Sequence, residues 1–288
     1  MTRQLVLVVG AGGQLGESMT ARLSGSHETV SRTRDEMDLT VPESVRTTIN
    51  SVCPDVIINC AAYTNVDAAE QDPLTALAVN AWGVRTLAVA AREVDATLVH
   101  YSTDFVFDGE TDAPYVETAD PNPRGTYAAS KLVGEWFAAE APRHYVLRVE
   151  SLFGGPRGKS SIDRIIDGIA AGVEVRAFSD RTVSPSYVDD VVTATIGLLS
   201  QGAPFGLYHC VNSGWTTWSQ LAREVAQRLG RPDAAIAEVP LASAALHPPR
   251  PRFAALSNSK LTAAGVPMPA WQDALARYIA ERDRDGNA

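Results

Sequence analysis

Two residues in the short segment YAASK, residues 127–131, could carry out proton transfer: the phenol of Tyr127 and the ammonium of Lys131. Their spacing of four places both side chains on one face of a helix. An ammonium near a phenol stabilises the phenolate, so we expect a lowered pKa for Tyr127 and proton exchange near neutral pH. An ordinary exposed helical pair has the same spacing. However, only 3 of the 25 Lys and Arg residues are lysines, so a lysine at this spacing is unlikely to stand there by chance, and this favours a functional pair.

A glycine-rich turn, GAGGQLG at residues 10–16, stands between a predicted apolar strand, Leu5–Val9, and a predicted helix, Gln14–Leu23. Glycines permit a sharp turn and close approach to a pyrophosphate, and the helix N-terminus supplies N–H groups. A tight turn without a ligand is the alternative. The strand-turn-helix context favours a dinucleotide site.

The residues after the second predicted strand, 28–31, favour NADP(H), with NAD(H) left open. An acid here would bind the ribose hydroxyls of NAD. The chain instead has Arg32 and Arg34, with no acid before Asp35, and these cations suit a 2′-phosphate. Asp38, in the stretch MDLT, is expected to touch the adenine edge or to cap the next helix.

A hydroxyl that could hold a substrate oxygen lies in the segment YSTDFVFDG. A strand is predicted over residues 97–102, and Thr103 follows it directly. The carboxyl ends of parallel strands face the ligand crevice. The helix that carries Tyr127 and Lys131 follows this fourth strand, so the pair is expected close to a bound nicotinamide.

The elements that position these residues alternate regularly over the first half of the chain. Apolar strands are predicted at residues 55–59, 97–102 and 145–149, and helices at 42–52, 73–93 and 127–139. Strands that are apolar throughout and alternate with helices indicate a parallel sheet covered on both faces. We therefore predict an α/β fold with a doubly wound parallel sheet of the Rossmann type.

The second half is less regular, with helices predicted at residues 161–171, 189–200, 218–229 and 271–281. Prolines exclude a regular helix over 246–253. We expect a dinucleotide-binding domain over residues 1–150 and a smaller α/β lobe over 151–288 that mainly binds substrate. Some elements of this lobe are expected to return to the first sheet.

Composition limits the function classes. The chain has 288 residues, 45% of them hydrophobic, a net charge of −9 and a pI near 5.1. This argues against a nucleic-acid binder with a basic surface. The N-terminal apolar run is too short to span a membrane and lacks the layout of a signal peptide. Three widely spaced cysteines fit a reducing compartment, so we expect a cytoplasmic protein without nucleic-acid or membrane partners.

These motifs together resemble the extended short-chain dehydrogenase/reductases, through GAGGQLG, YAASK and the strand-end threonine. A closer resemblance, over residues 10 to about 275, is to the dTDP-4-dehydrorhamnose reductase family. It is carried by the segments NCAAYTNVDAAE, YSTDFVFDG, YAASKLVGEW, RPRFAALSNSKL and PAWQDAL. The resemblance implies hydride transfer from NADPH to the C4 ketone of a dTDP-6-deoxyhexose, with Thr103, Tyr127 and Lys131 as the catalytic triad.

The resemblance also implies binding residues. The cofactor set comprises Gly10, Gly12, Gly13, Gln14, Leu15, Gly16, Arg32, Asp38, Leu39, Ala61, Ala62, Tyr63, Asn80, Tyr127 and Lys131. The substrate set comprises Thr103, Asp104, Phe105, Ser151 and Arg250. Two assignments have open alternatives. Asn80 could instead be a buried hydrogen-bond partner, and Arg250 could pair with an acid instead of a substrate phosphate.

The chain departs from the family pattern at four positions. Phe105 stands where the family usually has tyrosine, and Ser151 where it has a tryptophan that faces the substrate. Glu150 introduces a carboxylate, which would repel a diphosphate unless it faces elsewhere. Ser18 stands where some members have a glutamate that holds magnesium at a dimer interface, so no metal is predicted.

Three alternative functions remain open. A sugar-nucleotide epimerase would keep its NAD bound through purification. A 4,6-dehydratase would need an acid pair beside the threonine, and Phe105 after Asp104 counts against it. A non-catalytic regulatory subunit of the methionine adenosyltransferase type would copurify with its partner and show no turnover. A homodimer is compatible with the sequence.

Overall fold

The computed structural model describes residues 3–156 and 158–285. Its strands are β1 Leu5–Val9, β2 Glu28–Arg32, β3 Val56–Asn59, β4 Thr97–Thr103, β5 His144–Val149, β6 Leu152–Phe153, β7 Val175–Phe178, β8 Thr182–Val183, β9 Ser186–Tyr187, β10 Gly206–His209, β11 Thr216–Thr217 and β12 Ile236–Val239. Its α-helices are α1 Gln14–Leu23, α2 Pro42–Val52, α3 Val66–Gln71, α4 Pro73–Leu77, α5 Gly83–Glu93, α6 Thr126–Ala138, α7 Ser161–Ala170, α8 Val188–Gln201, α9 Trp218–Arg228, α10 Ser259–Ala263 and α11 Trp271–Asp285.

The main sheet has six parallel strands in the order β10-β5-β4-β3-β1-β2. Side chains of a strand alternate between the two faces. Val6 and Val8 therefore pack on one side with α1 and α8, and Leu7 and Val9 on the other with α2 and α5. The predicted α/β class with a doubly wound parallel sheet is confirmed.

The second half builds a separate apolar cluster from α7, α9 and α11 with the short strands around them. Its small sheets pair β7 with β12, β8 with β11 and β6 with β9. One strand of this half, β10, pairs in parallel with β5 at the edge of the main sheet.

The predicted helix over 73–93 is helical throughout, but a π-helical turn at Ala78–Trp82 separates α4 from α5. Such turns occur often at functional sites. By length and composition alone, Pro73–Glu93 could also span a membrane, and 50% of its most apolar window is buried inside the protein. The buried residues of α5 pack in the same cluster as β1 and β3, which is how a core helix behaves.

Candidate active site

The glycine turn packs tightly against the next strand end. Gly10 has a φ of +75°, and a Cβ there would lie 2.6 Å from the backbone nitrogen of Ala61. A Cβ on Gly16 would overlap the carbonyl oxygen of Gly10. At Gly12 the nearest atom would be Cγ2 of Thr33 at 3.6 Å, which leaves room. Gly10 and Gly16 are thus required by the close packing of the turn, whereas the space beside Gly12 remains open.

A cavity of about 390 Å³ lies beside this turn. Eight of the predicted cofactor residues line it: Gly10, Gly12, Gly13, Asp38, Leu39, Ala61, Ala62 and Tyr63. The first turn of α1 begins there, and N–H groups of a first helical turn lack intrahelical partners. Free space at Gly12 and these N–H groups fit the diphosphate of a dinucleotide.

Three predicted residues of the turn do not line this cavity. Leu15 is 7% exposed and packs in the core with α8. The Nε2 of Gln14 donates to the carbonyl oxygen of Gly154 at 2.8 Å. Gly16 packs directly against the carbonyl group of Gly10. Their observed contacts hold the turn against the rest of the fold.

The arginine at the cavity is Arg34, while Arg32 does not line it. The guanidinium of Arg32 donates to the carbonyl oxygen of Ser31 at 2.9 Å. Its own carbonyl oxygen accepts from the N–H groups of Gly10 and Ala11, which ties the end of β2 to the glycine turn. Of the two arginines, Arg34, beyond the end of β2, therefore lines the cavity, and the side chain of Arg32 is held at the Ser31 carbonyl.

Asp38 stiffens the loop before α2. Its Oδ1 accepts from the N–H and the hydroxyl of Thr40, both at 2.8 Å, and these bonds lower the pKa of Asp38. The N-cap of α2 is Val41, without a side-chain cap. Asp38 therefore does not cap that helix directly, and it also lines the cavity.

Asn80, in the π-helical turn, is 1% exposed. Its Oδ1 accepts from the N–H of Tyr63 at 2.9 Å. Its Nδ2 donates to the carbonyl oxygen of Tyr63 and to the hydroxyl of Ser130, both at 3.0 Å. These bonds match the alternative of a buried hydrogen-bond partner. Asn80 fixes the Tyr63 backbone at the cavity wall and ties it to α6.

The three predicted catalytic residues lie at the carboxyl end of the sheet and are 5%, 8% and 2% exposed for Thr103, Tyr127 and Lys131. The Thr103 hydroxyl donates to Oδ1 of Asp104 at 2.9 Å and also interacts with the Tyr127 hydroxyl. The Nζ of Lys131 donates to the carbonyl oxygen of Tyr101 at 2.6 Å. Thr103 thus lies close enough to Tyr127 to lower its pKa, and Lys131 is anchored to β4.

The ionisation of this group differs from the expectation. Burial raises the pKa of Tyr127 to about 12, against the hydrogen bond from Thr103, and the Asp104 carboxylate adds to the rise. Burial lowers the pKa of Lys131 to about 8, against the nearby carboxylate of Glu135. The predicted lowering of the Tyr127 pKa is wrong here, because burial of the phenol outweighs the groups that favour its ionised form.

The predicted substrate residues lie around Tyr127. The ring of Phe105 meets that of Tyr127 edge-on, with 5.6 Å between centroids. Ser151 is half-buried in a left-handed conformation, with a φ of +45°. The guanidinium of Arg250 lies 6.0 Å from the Phe105 ring and bonds Oδ1 of Asp67 at 2.5 Å. Arg250 thus pairs with an acid, which is one of the two roles considered for it; the other was binding a substrate phosphate.

Sequence reasoning missed Arg181, whose guanidinium lies 5.7 Å from the Phe105 ring centroid. Arg181 also lines a cavity of about 420 Å³ between α7 and β7, together with Arg164, Arg176, Phe178 and Trp218. Three arginines and two aromatic rings suit an anion attached to a planar base. No sequence motif marks these arginines.

Within residues 3–156 and 158–285, no group of three or more His, Cys, Asp or Glu side chains is placed to hold a metal ion. Ser18, the position of the expected magnesium glutamate, lies on α1 in the wall of a separate cavity of about 790 Å³.

Comparisons with known proteins agree with this geometry. Residues 3–284 match the family model described as RmlD substrate binding domain. The dTDP-4-dehydrorhamnose reductase of Mycobacterium tuberculosis is 36% identical, over 96% of this chain and 92% of that protein. A probable dTDP-4,6-dihydroxy-2-methyloxan-3-one 4-ketoreductase of Streptomyces antibioticus is 33% identical, over 93% of this chain and 92% of that protein.

A crystal structure of a dTDP-4-dehydrorhamnose reductase from Bacillus anthracis, in complex with NADP, superposes with a TM-score of 0.92. It is 30% identical, and the match covers 97% of this chain and 100% of that one. Because the family model matches nearly the whole chain and relatives are more than 30% identical over most of it, the chain belongs to the RmlD substrate binding domain family, within the extended short-chain dehydrogenase/reductases.

Proposed function

We propose that this protein uses NADPH to reduce the C4 ketone of a dTDP-linked 6-deoxyhexose, as a dTDP-4-dehydrorhamnose reductase does. The observation that carries the proposal is the burial of Thr103, at the carboxyl end of β4, together with Tyr127 and Lys131 on α6. It occurs in a chain that is similar along nearly its whole length to reductases of that name.

The cofactor is held by the walls of the 390 Å³ cavity. Gly12 and Gly13 let the diphosphate approach the N-terminus of α1. Arg34 neutralises the 2′-phosphate, and Ala61, Ala62 and Tyr63 line the side beneath β3. Gln14, Leu15, Gly16, Arg32 and Asn80 position these walls through the contacts described above.

When bound, NADPH supplies the hydride that adds to the C4 carbon of the sugar. Tyr127 donates its proton to the carbonyl oxygen, where negative charge collects, and Thr103 hydrogen-bonds that oxygen. With a pKa raised to about 12, Tyr127 starts each reaction protonated. Lys131, anchored at the Tyr101 carbonyl, would hold the cofactor ribose beside Tyr127.

The substrate occupies the crevice between the catalytic residues and the 420 Å³ cavity. Arg181 borders both regions and is suited to the diphosphate, with Trp218 and Phe178 beside the base. Asp104, Phe105 and Ser151 border the sugar. The ion pair with Asp67 holds the Arg250 guanidinium near the Phe105 ring.

The test is NADPH oxidation with dTDP-4-dehydro-L-rhamnose, with NADH in parallel and purified protein checked for bound NAD. Turnover with NADPH is the expected result. Protein that purifies with tightly bound NAD and interconverts sugar epimers would favour the epimerase alternative. Copurification of a partner without any turnover would favour the regulatory subunit.

A different 4-keto sugar is the second candidate substrate. Phe105 and Ser151 remove a hydroxyl and a ring that the family uses near the sugar, and a 33%-identical relative carries the name of another 4-ketoreductase. Turnover of a panel of dTDP-4-keto sugars at equal concentration distinguishes the two. Cytoplasmic location, a homodimer and the division near residue 150 remain predictions.

A further inference from the structure

Two buried carboxyl groups lie side by side next to the catalytic threonine. Thr103 and Val149 are paired at the ends of β4 and β5, and Asp104 and Glu150 directly follow these paired strand ends, close enough for the Asp104 charge to act on Glu150. Neighbouring strands are about 4.8 Å apart. Asp104 is 3% exposed and Glu150 is 2% exposed. Their proximity follows from the sheet register.

Each carboxyl group uses one oxygen and leaves the other without a partner. Oδ1 of Asp104 accepts from Thr103 at 2.9 Å, and Oε2 of Glu150 accepts from the N–H of Ser184 at 2.7 Å. Oδ2 of Asp104 and Oε1 of Glu150 are buried and have no hydrogen-bond partner. Ionised carboxylates can only accept, whereas a protonated one can donate. One proton on the pair would therefore satisfy both oxygens.

We propose that Asp104 and Glu150 hold one proton between them and return it to Tyr127, through the Thr103 hydroxyl, after each reduction. This role rests on the reductase function proposed above. Neither carboxyl group touches the reacting atoms in this scheme, because both act through Thr103. Glu150 therefore faces its partner acid, which answers the objection that it would repel a diphosphate.

The charges around the pair agree with a retained proton. Burial raises the pKa of Asp104 to about 6, although the Arg181 guanidinium and the Thr103 hydroxyl oppose the rise. Burial and the Asp104 charge raise the pKa of Glu150 well above its usual value, against Ser184 and Arg181. The other charged or titratable groups that act here are Tyr127 on α6 and Arg250, whose charge acts on Arg181.

The proton balance closes without a further reactant. The Tyr127 O–H bond breaks as its proton moves to the alkoxide, which leaves a tyrosinate. Thr103 gives its hydroxyl proton to the tyrosinate. The Asp104 carboxyl group rotates about its Cβ–Cγ bond so that the protonated oxygen faces Thr103, and its O–H bond breaks as Thr103 takes that proton. The pair is then doubly ionised beside Arg181 and regains one proton from water. Net, one proton passes from solvent to the product alcohol.

The shared proton can be tested without cofactor or substrate. In protein labelled with ¹³C at the Asp and Glu carboxyl carbons, we expect one carboxyl group to titrate well above the ordinary range for Asp and Glu. Glu150→Gln should abolish that titration, since the amide donates permanently to Asp104. Ordinary titration of every carboxyl group in the wild type would overturn the proposal.

The return of the proton is tested by comparing the first turnover with later ones. Direct proton transfer to substrate contributes about 10²–10⁴-fold to the rate. Glu150→Gln removes only the return of a proton to Tyr127, so we expect kcat to fall less, by about 10-fold. In Glu150→Gln the first turnover should keep the wild-type rate, because Tyr127 begins protonated. Glu140→Gln, the same change at an exposed position after α6, is the matched control.

Unchanged kcat and an unchanged pH profile of kcat in Glu150→Gln would overturn the relay while the reductase function stands. If Glu150→Gln does not fold, Asp104→Asn with the same two readouts decides the question. A wild-type protein without any turnover would overturn both the function and the relay, and the carboxyl titration would still decide the shared proton.

Discussion

At the scale of single residues, the site depends on a tyrosine whose proton is firmly held. Tyr127 is 8% exposed, and burial raises its pKa to about 12. Thr103 lies against its hydroxyl, and Lys131 is anchored on β4 through the Tyr101 carbonyl. In the proposed reaction Tyr127 is therefore the proton donor, because its raised pKa favours the protonated phenol.

Replacing Tyr127 by phenylalanine removes the proton donor and keeps the ring against Phe105. Because positioned proton transfer contributes about 10²–10⁴-fold, kcat should fall within that range while the Kd for NADPH stays near the wild-type value. Steady-state kinetics and fluorescence titration with NADPH measure the two quantities. Wild-type turnover in this variant would show that another group protonates the ketone oxygen.

The preference for NADPH should reside in Arg34. A hydrogen bond to a charged group is worth about 1.5–3 kcal/mol, so Arg34→Ala should raise KM for NADPH at least about tenfold and leave KM for NADH unchanged. Arg32→Ala is the matched comparison, because Arg32 bonds the Ser31 carbonyl and does not line the cavity. A larger loss of NADPH affinity in Arg32→Ala would reverse the assignment.

At the scale of elements, α6 is fixed to the sheet by a buried ion pair. Arg148 on β5 donates to both carboxylate oxygens of Glu135 on α6, at 2.8 and 2.7 Å, and Ser102 on β4 donates to the same group at 2.5 Å. Lys131 and Tyr127 share this helix, about one and two turns before Glu135 respectively. The pair therefore sets the position of the catalytic side chains relative to Thr103.

Removing one charge of this pair should destabilise the fold. Glu135→Gln leaves the Arg148 guanidinium buried without its counterion, and breaking a buried pair costs about 3–5 kcal/mol. Urea unfolding should show a lower free energy of unfolding. Glu140→Gln, exposed beyond the end of α6, should change it little. Equal stabilities of the two variants would mean that the pair contributes little.

At the scale of the whole molecule, the two halves of the chain share one core. The strand β10, from the second half, covers the β5 edge of the main sheet, and α8 packs against α1 on one face. The Tyr145 hydroxyl on β5 donates to the Ala203 carbonyl at 2.5 Å. Residues 151–285 therefore complete the sheet that carries the cofactor cavity.

A fragment of residues 1–150 should consequently fail to fold alone. It would expose the β5 edge and the apolar face that α8 covers, and uncovered edges of this kind promote aggregation. Expression of the fragment beside the full chain, with size-exclusion chromatography and circular dichroism, tests this. A soluble, monomeric fragment with cooperative unfolding would show that residues 1–150 are an independent domain.

Local pattern alone determined much of this protein. Three local features identified the class of fold and the reaction: the glycine turn, the four-residue spacing of Tyr127 and Lys131, and Thr103 at a strand end. Each is visible in the sequence because backbone conformation and helical spacing depend on residues close together in the chain. The pattern did not determine which of Arg32 and Arg34 lines the cavity, because that depends on the path of the chain after the end of β2.

Other features were decided only by tertiary structure. The raised pKa of Tyr127 comes from burial beneath several elements, and the direction of Lys131 from a carbonyl on another strand. Asp104 and Glu150 are 46 positions apart and become neighbours through the register of β4 and β5. Arg181 reaches both the Phe105 ring and the second cavity from a loop of the small lobe. Contacts between distant segments and the dielectric around them exist only once the chain is packed.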